Sequence, residues 1–315
     1  MGLRVAVAFG VVAALGCSGD SPAPGADAGV LAPTPLEGHA RILWVGAHPD
    51  DELPSAPVFQ EVCVRAECVF VSMTVGERGN CHLADGCQPD LPTVRRAEFA
   101  AMGRYLRGEV EIVGLPDGSA GTPEGVVGAW AARAGSERAL VDQVRALVER
   151  HAPDAIVTFD PRHGTTCHPD HRATGQLVVV AADELGFDRD AVFLVESVIV
   201  GVGDTEAIGF RPADPEDPAV AVISIAPRFE AIVHLMTEVY PSQFAAETVA
   251  GIQTAGPDGR TWSVLPVTVT VPATIPEPPM LSTNCRTGRQ AAPAGHGRLG
   301  DRRRHQGAPA RVAWS

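Results

Sequence analysis

The chain has 315 residues, 45% hydrophobic and only 5% aromatic, a length that suits one or two domains with a sizeable core. Its formal net charge is −13, although residues 275–315 are themselves basic, with seven Arg against Glu277 and Asp301. An acidic body argues against nucleic acid as the main partner, and the absence of any Lys excludes Schiff-base chemistry and a P-loop lysine.

Residues 1–16 have the pattern of a signal peptide: Arg4, the apolar run Val5 to Leu15, then small residues before Cys17. Ala14-Leu15-Gly16-Cys17-Ser18 resembles a bacterial lipobox. It predicts an exported lipoprotein acylated at Cys17 and anchored to a membrane at the periplasm or cell surface, with ordinary signal cleavage as the alternative. The apolar run is too short for a stable span. A Pro-, Gly- and Ala-rich tether is expected over 17–38, followed by a globular domain over 39–274.

In that domain Arg41 to Gly46 reads as a buried strand and runs into Ala47-His48-Pro49-Asp50-Asp51-Glu52. Pro49 cannot extend a ladder, so the chain turns directly after His48 and lets His48 and Asp51 approach a common centre. Cys68 to Thr74 is a second strand, followed by Gly76-Glu77-Arg78-Gly79, and Thr93–Leu106 a helix. Val110 to Leu115 is a third strand, ending at Pro116-Asp117-Gly118, with a helix at Ser136–His151. Ala155 to Phe159 is a fourth, followed by a loop over Asp160–His171 and a helix at Pro169–Leu185. Ala191 to Val200 is expected as a single fifth strand. Ala219–Ser224 and Trp262–Val271 read as later, antiparallel strands around a helix near Arg228–Val239. Strands alternating with helices predict an α/β fold, a mostly parallel sheet covered on both faces. From about Pro276 the periodicity ends, and the Arg-rich segment 275–315 reads as a disordered tail.

Six cysteines follow Cys17, an even number that suits disulfides in an exported chain. The local pairings expected are Cys63 with Cys68 and Cys81 with Cys87; Cys167 reads as a disulfide partner or filler. No close CxxC pairs are present for a four-cysteine zinc site.

Ligands of open α/β sheets sit beyond the carboxyl ends of the strands, where all four polar loops fall. Two imidazoles and a carboxylate with an open position describe a catalytic zinc site, so the metal ligands expected are His48, Asp51 and His171. The same set suits Fe²⁺. Asp50 beside the ligand Asp51 is the candidate general base for water attack. His168, cap of the helix opened by Pro169, would stabilise an oxyanion or protonate a leaving amine, oriented by Asp170.

The pair of runs Ala47–Glu52 (AHPDDE) and His168–His171 (HPDH) resembles the hallmarks of the PIG-L/LmbE-like family of zinc-dependent de-N-acetylases. Supporting matches are Thr74–Gly79, Arg95 with Glu98, Leu115–Gly118 and Ser242-Gln243 after Tyr240, over about 41–244. The resemblance implies a Rossmann-like fold with a metal site at the strand ends and hydrolysis of an N-acetyl group on an N-acetylglucosamine-type sugar or glycoconjugate. It implies the same ligands, Asp50 as base and His168 as electrophile. Arg95 and Asp117 are placed near a glycan or small-molecule substrate; a helix-surface pair with Glu98 is the alternative for Arg95. Two departures stand out: Thr165-Thr166-Cys167 lengthen the approach from Gly164 to His168, and Tyr240 stands where many relatives have His. The functional alternatives are a hydrolase of another amide conjugate and a catalytically idle carbohydrate-binding lipoprotein.

Overall fold

The computed structural model describes residues 31–266 apart from 163, 196–197, 202–207, 212–220 and 257–260. The expected signal peptide, Cys17, Cys285 and the Arg-rich tail lie outside the described residues. The elements run β1 (Arg41–Gly46), α1 (Ala56–Val62), β2 (Glu67–Thr74), α2 (Leu91–Leu106), β3 (Gly108–Leu115), α3 (Pro123–Ala134), α4 (Glu137–His151), β4 (Ala155–Phe159), α5 (Gly164–Cys167) and α6 (Pro169–Glu184). Then follow β5 (Val192–Val195), β6 (Val198–Gly201), β7 (Ile208–Arg211), β8 (Ala221–Ser224), α7 (Phe229–His234), α8 (Ala246–Ala255) and β9 (Thr261–Pro266).

Seven strands form one sheet in the order β3-β2-β1-β4-β5-β9-β8. The first five are parallel, with Arg41 opposite Glu67 and Ile42 opposite Ala155. The last two close the edge antiparallel. The expected α/β architecture is therefore observed. Chain order reverses between β1 and β4, the switch point at which such sheets open a crevice beyond their carboxyl ends.

Alternation along β1 fills both faces. Ile42 and Trp44 point into a core with Phe59, Phe70, Phe99 and Phe159, under α1, α2 and α7. Leu43 and Val45 point the other way, against Trp130, Val144, Leu147 and Val178 of α3, α4 and α6. Gly175 of α6 lies against the Phe159 carbonyl, where a Cβ would collide with backbone, so α6 sits close on the end of β4.

Several boundaries differ from the sequence expectation. Leu31 and Leu36, assigned to the tether, are buried in the aromatic core, two leucines hidden in a Pro-rich stretch. The single fifth strand is two: β5 lies in the main sheet, while β6 pairs with β7 in a separate ribbon, the apolar run being broken in sequence by Glu196-Ser197. Helix α2 starts at Leu91, because the Asp90 side chain caps Thr93 N–H (2.7 Å) and Pro92 is tolerated in a first turn. Helices α1, α3 and α8 were not expected. Their Ala-, Gly- and Pro-rich sequences show no apolar period, although Thr122-Pro123 carries an N-cap signal at the start of α3. The helix expected over Arg228–Val239 is α7 followed by a π-helical turn at Leu235–Val239. Cysteines 63/68 and 81/87 form the expected disulfides.

Candidate active site

The turn after β1 is built by its own carboxylate. Asp51 Oδ2 accepts the backbone N–H groups of Ala47 and His48, both at 2.6 Å, which leaves Oδ1 facing outward. From β2, Thr74 Oγ1 donates to the Ala47 carbonyl (2.9 Å), fixing the strand end from beneath. Asp50 adopts φ 108°, a left-handed conformation unusual for a residue with a side chain and of the kind stored at functional sites. That strain lifts its carboxylate toward α2, where the Arg95 guanidinium holds Oδ2 at 3.2 Å and also bonds the Pro49 carbonyl. Gly76, at φ 70°, passes directly over this guanidinium, and a Cβ would strike it at 2.7 Å.

The loop after β4 supplies the opposing wall. His168 caps α6, its Nδ1 accepting the Asp170 N–H (3.3 Å), so its proton sits on Nε2. His171 stacks on Phe159 (centroids 4.3 Å, 6° between planes), and its Nδ1 donates to the Gly164 carbonyl (2.9 Å), leaving Nε2 as acceptor. The segment from Gly164 to His171 is tightly packed. Gly164 and Thr165 both take positive φ, and a Cβ on Gly164 would meet the His171 Cβ at 2.8 Å.

The three expected ligand atoms converge. His171 Nε2 lies 3.0 Å from Asp51 Oδ1 and 3.2 Å from His48 Nδ1, and His48 Nδ1 lies 3.6 Å from Asp51 Oδ1. A tetrahedral ion with bonds of about 2.0–2.1 Å places its donors about 3.3–3.4 Å apart, so the set fits such an ion. The far side of His48 points the same way: Nε2 lies 3.0 Å from Asp117 Oδ1 and 3.3 Å from Asp170 Oδ2. Carboxylates behind an imidazole fix its tautomer and aim the other nitrogen at a metal. Two residues expected in other roles also back His48, and Asp117 lines the cavity besides. The Asp170 carboxylate touches His48 and the Gly118 N–H (3.0 Å), not His168. Asp117 also braces His48 and receives the Arg78 N–H (2.8 Å). Arg95 pairs with Asp50 rather than Glu98, which instead receives the N–H and Oγ–H of Ser242 (2.9 and 2.7 Å).

Electrostatics separate the two aspartates. Burial pushes the Asp50 carboxyl up, against the opposing pull of Arg95. Burial also opposes ionisation of Asp51, but His171 and His48 outweigh it and hold the group well below the usual carboxylate range. Burial works against Asp117 too, yet its bond to His48 keeps it at about 2. Burial, then the charges of His171 and His48, lowers His168 to about 4, so its ring is a neutral donor at neutral pH. Glu52, fully buried, is pushed up to about 8 and stays protonated beside Tyr240. Tyr240 is itself fully buried, so it supports the wall from behind rather than contacting the cavity.

The resulting cavity, about 390 Å³, is lined by both walls together with Arg78, Gly79 and Gly118 from the loops after β2 and β3. Its size falls within the range of small-molecule sites. A proton acceptor, a proton donor and a ligand triad on one small opening suit hydrolysis of a polarised carbonyl compound.

A family model described as GlcNAc-PI de-N-acetylase (PIG-L) matches residues 43–182. Among solved structures the chain is similar to N,N'-diacetylchitobiose deacetylase from Pyrococcus horikoshii, with a TM-score of 0.52 and 16% identity, covering 76% of this chain and 90% of that one. It is also similar to 4-carboxy-2-hydroxymuconate hydratase from Pseudomonas putida (TM-score 0.49, 12% identity, 75% and 100% covered). A deacetylase of teicoplanin biosynthesis is a further neighbour (TM-score 0.45, 19% identity, 72% and 99% covered). No curated protein sequence matches the chain.

Proposed function

With a PIG-L domain at residues 43–182 as the premise, we propose that this protein is a metal-dependent hydrolase that removes the acetyl group from an N-acetylglucosamine-type sugar or glycoconjugate. We further propose that it works outside the cytoplasm, exported as a lipoprotein anchored through Cys17. The observation that carries the catalytic reading is the convergence of His48, Asp51 and His171 within 3.6 Å, with Asp50 and His168 on the same opening.

His48, Asp51 and His171 would hold a divalent ion, zinc by preference of the donor set. When bound, that ion supplies Lewis acidity toward water and the amide carbonyl. The remaining work belongs to the chain. Asp50, oriented by Arg95, accepts a proton from the attacking water as the new C–O bond forms at the acetyl carbon. His168 presents its Nε2 proton to the oxygen that gains negative charge. The C–N bond then breaks, the nitrogen leaves as an amine after receiving the proton taken up by Asp50, and acetate departs. Arg95 matters because an unclamped Asp50 would relax from its strained turn and lose this aim.

Metal analysis of purified protein, followed by acetate and amine release from N-acetylated sugars, tests the reading. Asp50→Asn should retain the metal and lower kcat about 10²–10⁴-fold. Full activity in Asp50→Asn would sink the base assignment. Protein that binds sugar without releasing acetate would favour the idle lectin-like alternative.

A further inference from the structure

We propose that Arg78 recognises an anionic group, phosphate or carboxylate, carried by the substrate beside its acetamido sugar. It rests on the deacetylase reading only in taking the anion to be carried by the acetylated sugar; the anion subsite is defined by its own geometry.

Two arginines line the cavity, and they differ in what they already hold. Arg95 is buried and committed to Asp50 and the Pro49 carbonyl. Arg78 is exposed at the rim, and among the described residues its guanidinium has one recorded partner, the Gly118 carbonyl at 3.3 Å, with no ion pair. This is unexpected beside Asp117. That carboxylate receives the backbone N–H of Arg78 at 2.8 Å and spends its other oxygen on His48, so the guanidinium is left for something else.

The loop bearing Arg78 is meanwhile fixed. Gly79 N–H bonds the Gly76 carbonyl (3.2 Å), Gln243 Nε2 bonds the Asn80 carbonyl (3.0 Å), and His82 N–H bonds the Ser242 carbonyl (2.8 Å). Next along the chain the Cys81–Cys87 disulfide closes the loop. Opposite, Gly118 takes φ 51°, and a Cβ there would press on Arg78 Cδ at 3.1 Å, so the stem of the arginine has a seat shaped for it. A rigid backbone carrying a charge-unpaired guanidinium into a cavity is a preorganised anion receptor, since little ordering cost remains at binding. A planar fork suits both phosphate and carboxylate oxygens.

The test is calorimetric binding to the zinc-loaded full chain of three probes: N-acetylglucosamine 1-phosphate, the carboxymethyl glycoside and the uncharged methyl glycoside of N-acetylglucosamine. In Arg78→Gln the preference for the charged probes over the methyl glycoside should fall about tenfold, the loss of one charge-assisted contact. Arg78→Lys, which keeps charge but loses the fork, should fall between. A response confined to one charged probe identifies which oxyanion the site takes. An unchanged preference in Arg78→Gln overturns the proposal, and so does an equal loss on all three probes, the mark of a merely structural residue. If the charged probes bind in an Arg78-dependent way and no probe releases acetate, the hydrolase reading fails while the anion subsite stands.

Discussion

The wall made by the loops after β1 and β4 and the rim made by the loops after β2 and β3 are built on opposite principles. The wall is largely buried, and its three candidate ligands are braced. Asp51, His48 and His171 each use one polar atom on a brace from the protein and turn the other toward a shared centre. At the rim Arg78 is exposed and fixed by its backbone, and among the described residues its guanidinium has one recorded partner, the Gly118 carbonyl, and no ion pair. The difference separates two tasks. Chemistry needs groups whose orientation is over-determined, whereas recognition needs a group whose bonding capacity is still unspent.

Perturbing the two regions should therefore give effects of different kind and size. The largest is expected from His171→Ala, which removes a proposed metal ligand from the wall. Stoichiometric metal should be lost, and turnover should fall by more than the about 10²–10⁴-fold expected for losing the base alone. Metal analysis beside an acetate-release assay checks this; a His171→Ala protein that retains one metal per chain would remove His171 from the ligand set.

Next is Asp170→Asn, one atom behind the wall. Because the Asp170 carboxylate braces His48 Nε2, the substitution should weaken metal affinity about 10–100-fold, as read by competition with a chelator. If affinity were unchanged while kcat alone fell, Asp170 would act on His168 instead.

The smallest effect is expected at the rim. Replacing Cys81 and Cys87 together by Ser frees the loop after Arg78 and should raise KM about two- to tenfold, the cost of ordering a loop at binding, with metal content preserved. A loss of metal in that double variant would mean the wall and the rim are one mechanical unit, and the contrast between them would dissolve.

The readability of the chain follows the same division. Short-range geometry was legible: Pro49 lies in the turn that follows β1, His168 and Pro169 open α6, and the alternation of strands and helices gives the parallel sheet. Such signals depend on dihedral limits and capping bonds within a few residues. Partners across the sequence were not legible. Asp117 and Asp170 converge on His48 from 69 and 122 residues away, and Arg95 reaches Asp50 across 45. Nothing local distinguishes an Asp that braces a histidine from one that touches substrate. For Arg95, the neighbouring Glu98 offered a plausible helical partner, yet burial turned each residue to a different long-range contact. The Ala- and Gly-rich helices and the two core leucines in the Pro-rich lead were hidden for a related reason: burial there is imposed by neighbours rather than by an apolar period.

By itself, the sequence determined which chemical groups are present and the local turns on which they stand: two histidine-bearing runs at strand ends, the paired aspartates Asp50 and Asp51, and no lysine anywhere. Only the tertiary structure decided which oxygen faces which nitrogen and which arginine is committed to a carboxylate. The physical reason is that dihedral preferences act over a few residues, while the tautomer of a histidine and the pairing of a buried charge are set by whatever the fold brings within about 3 Å.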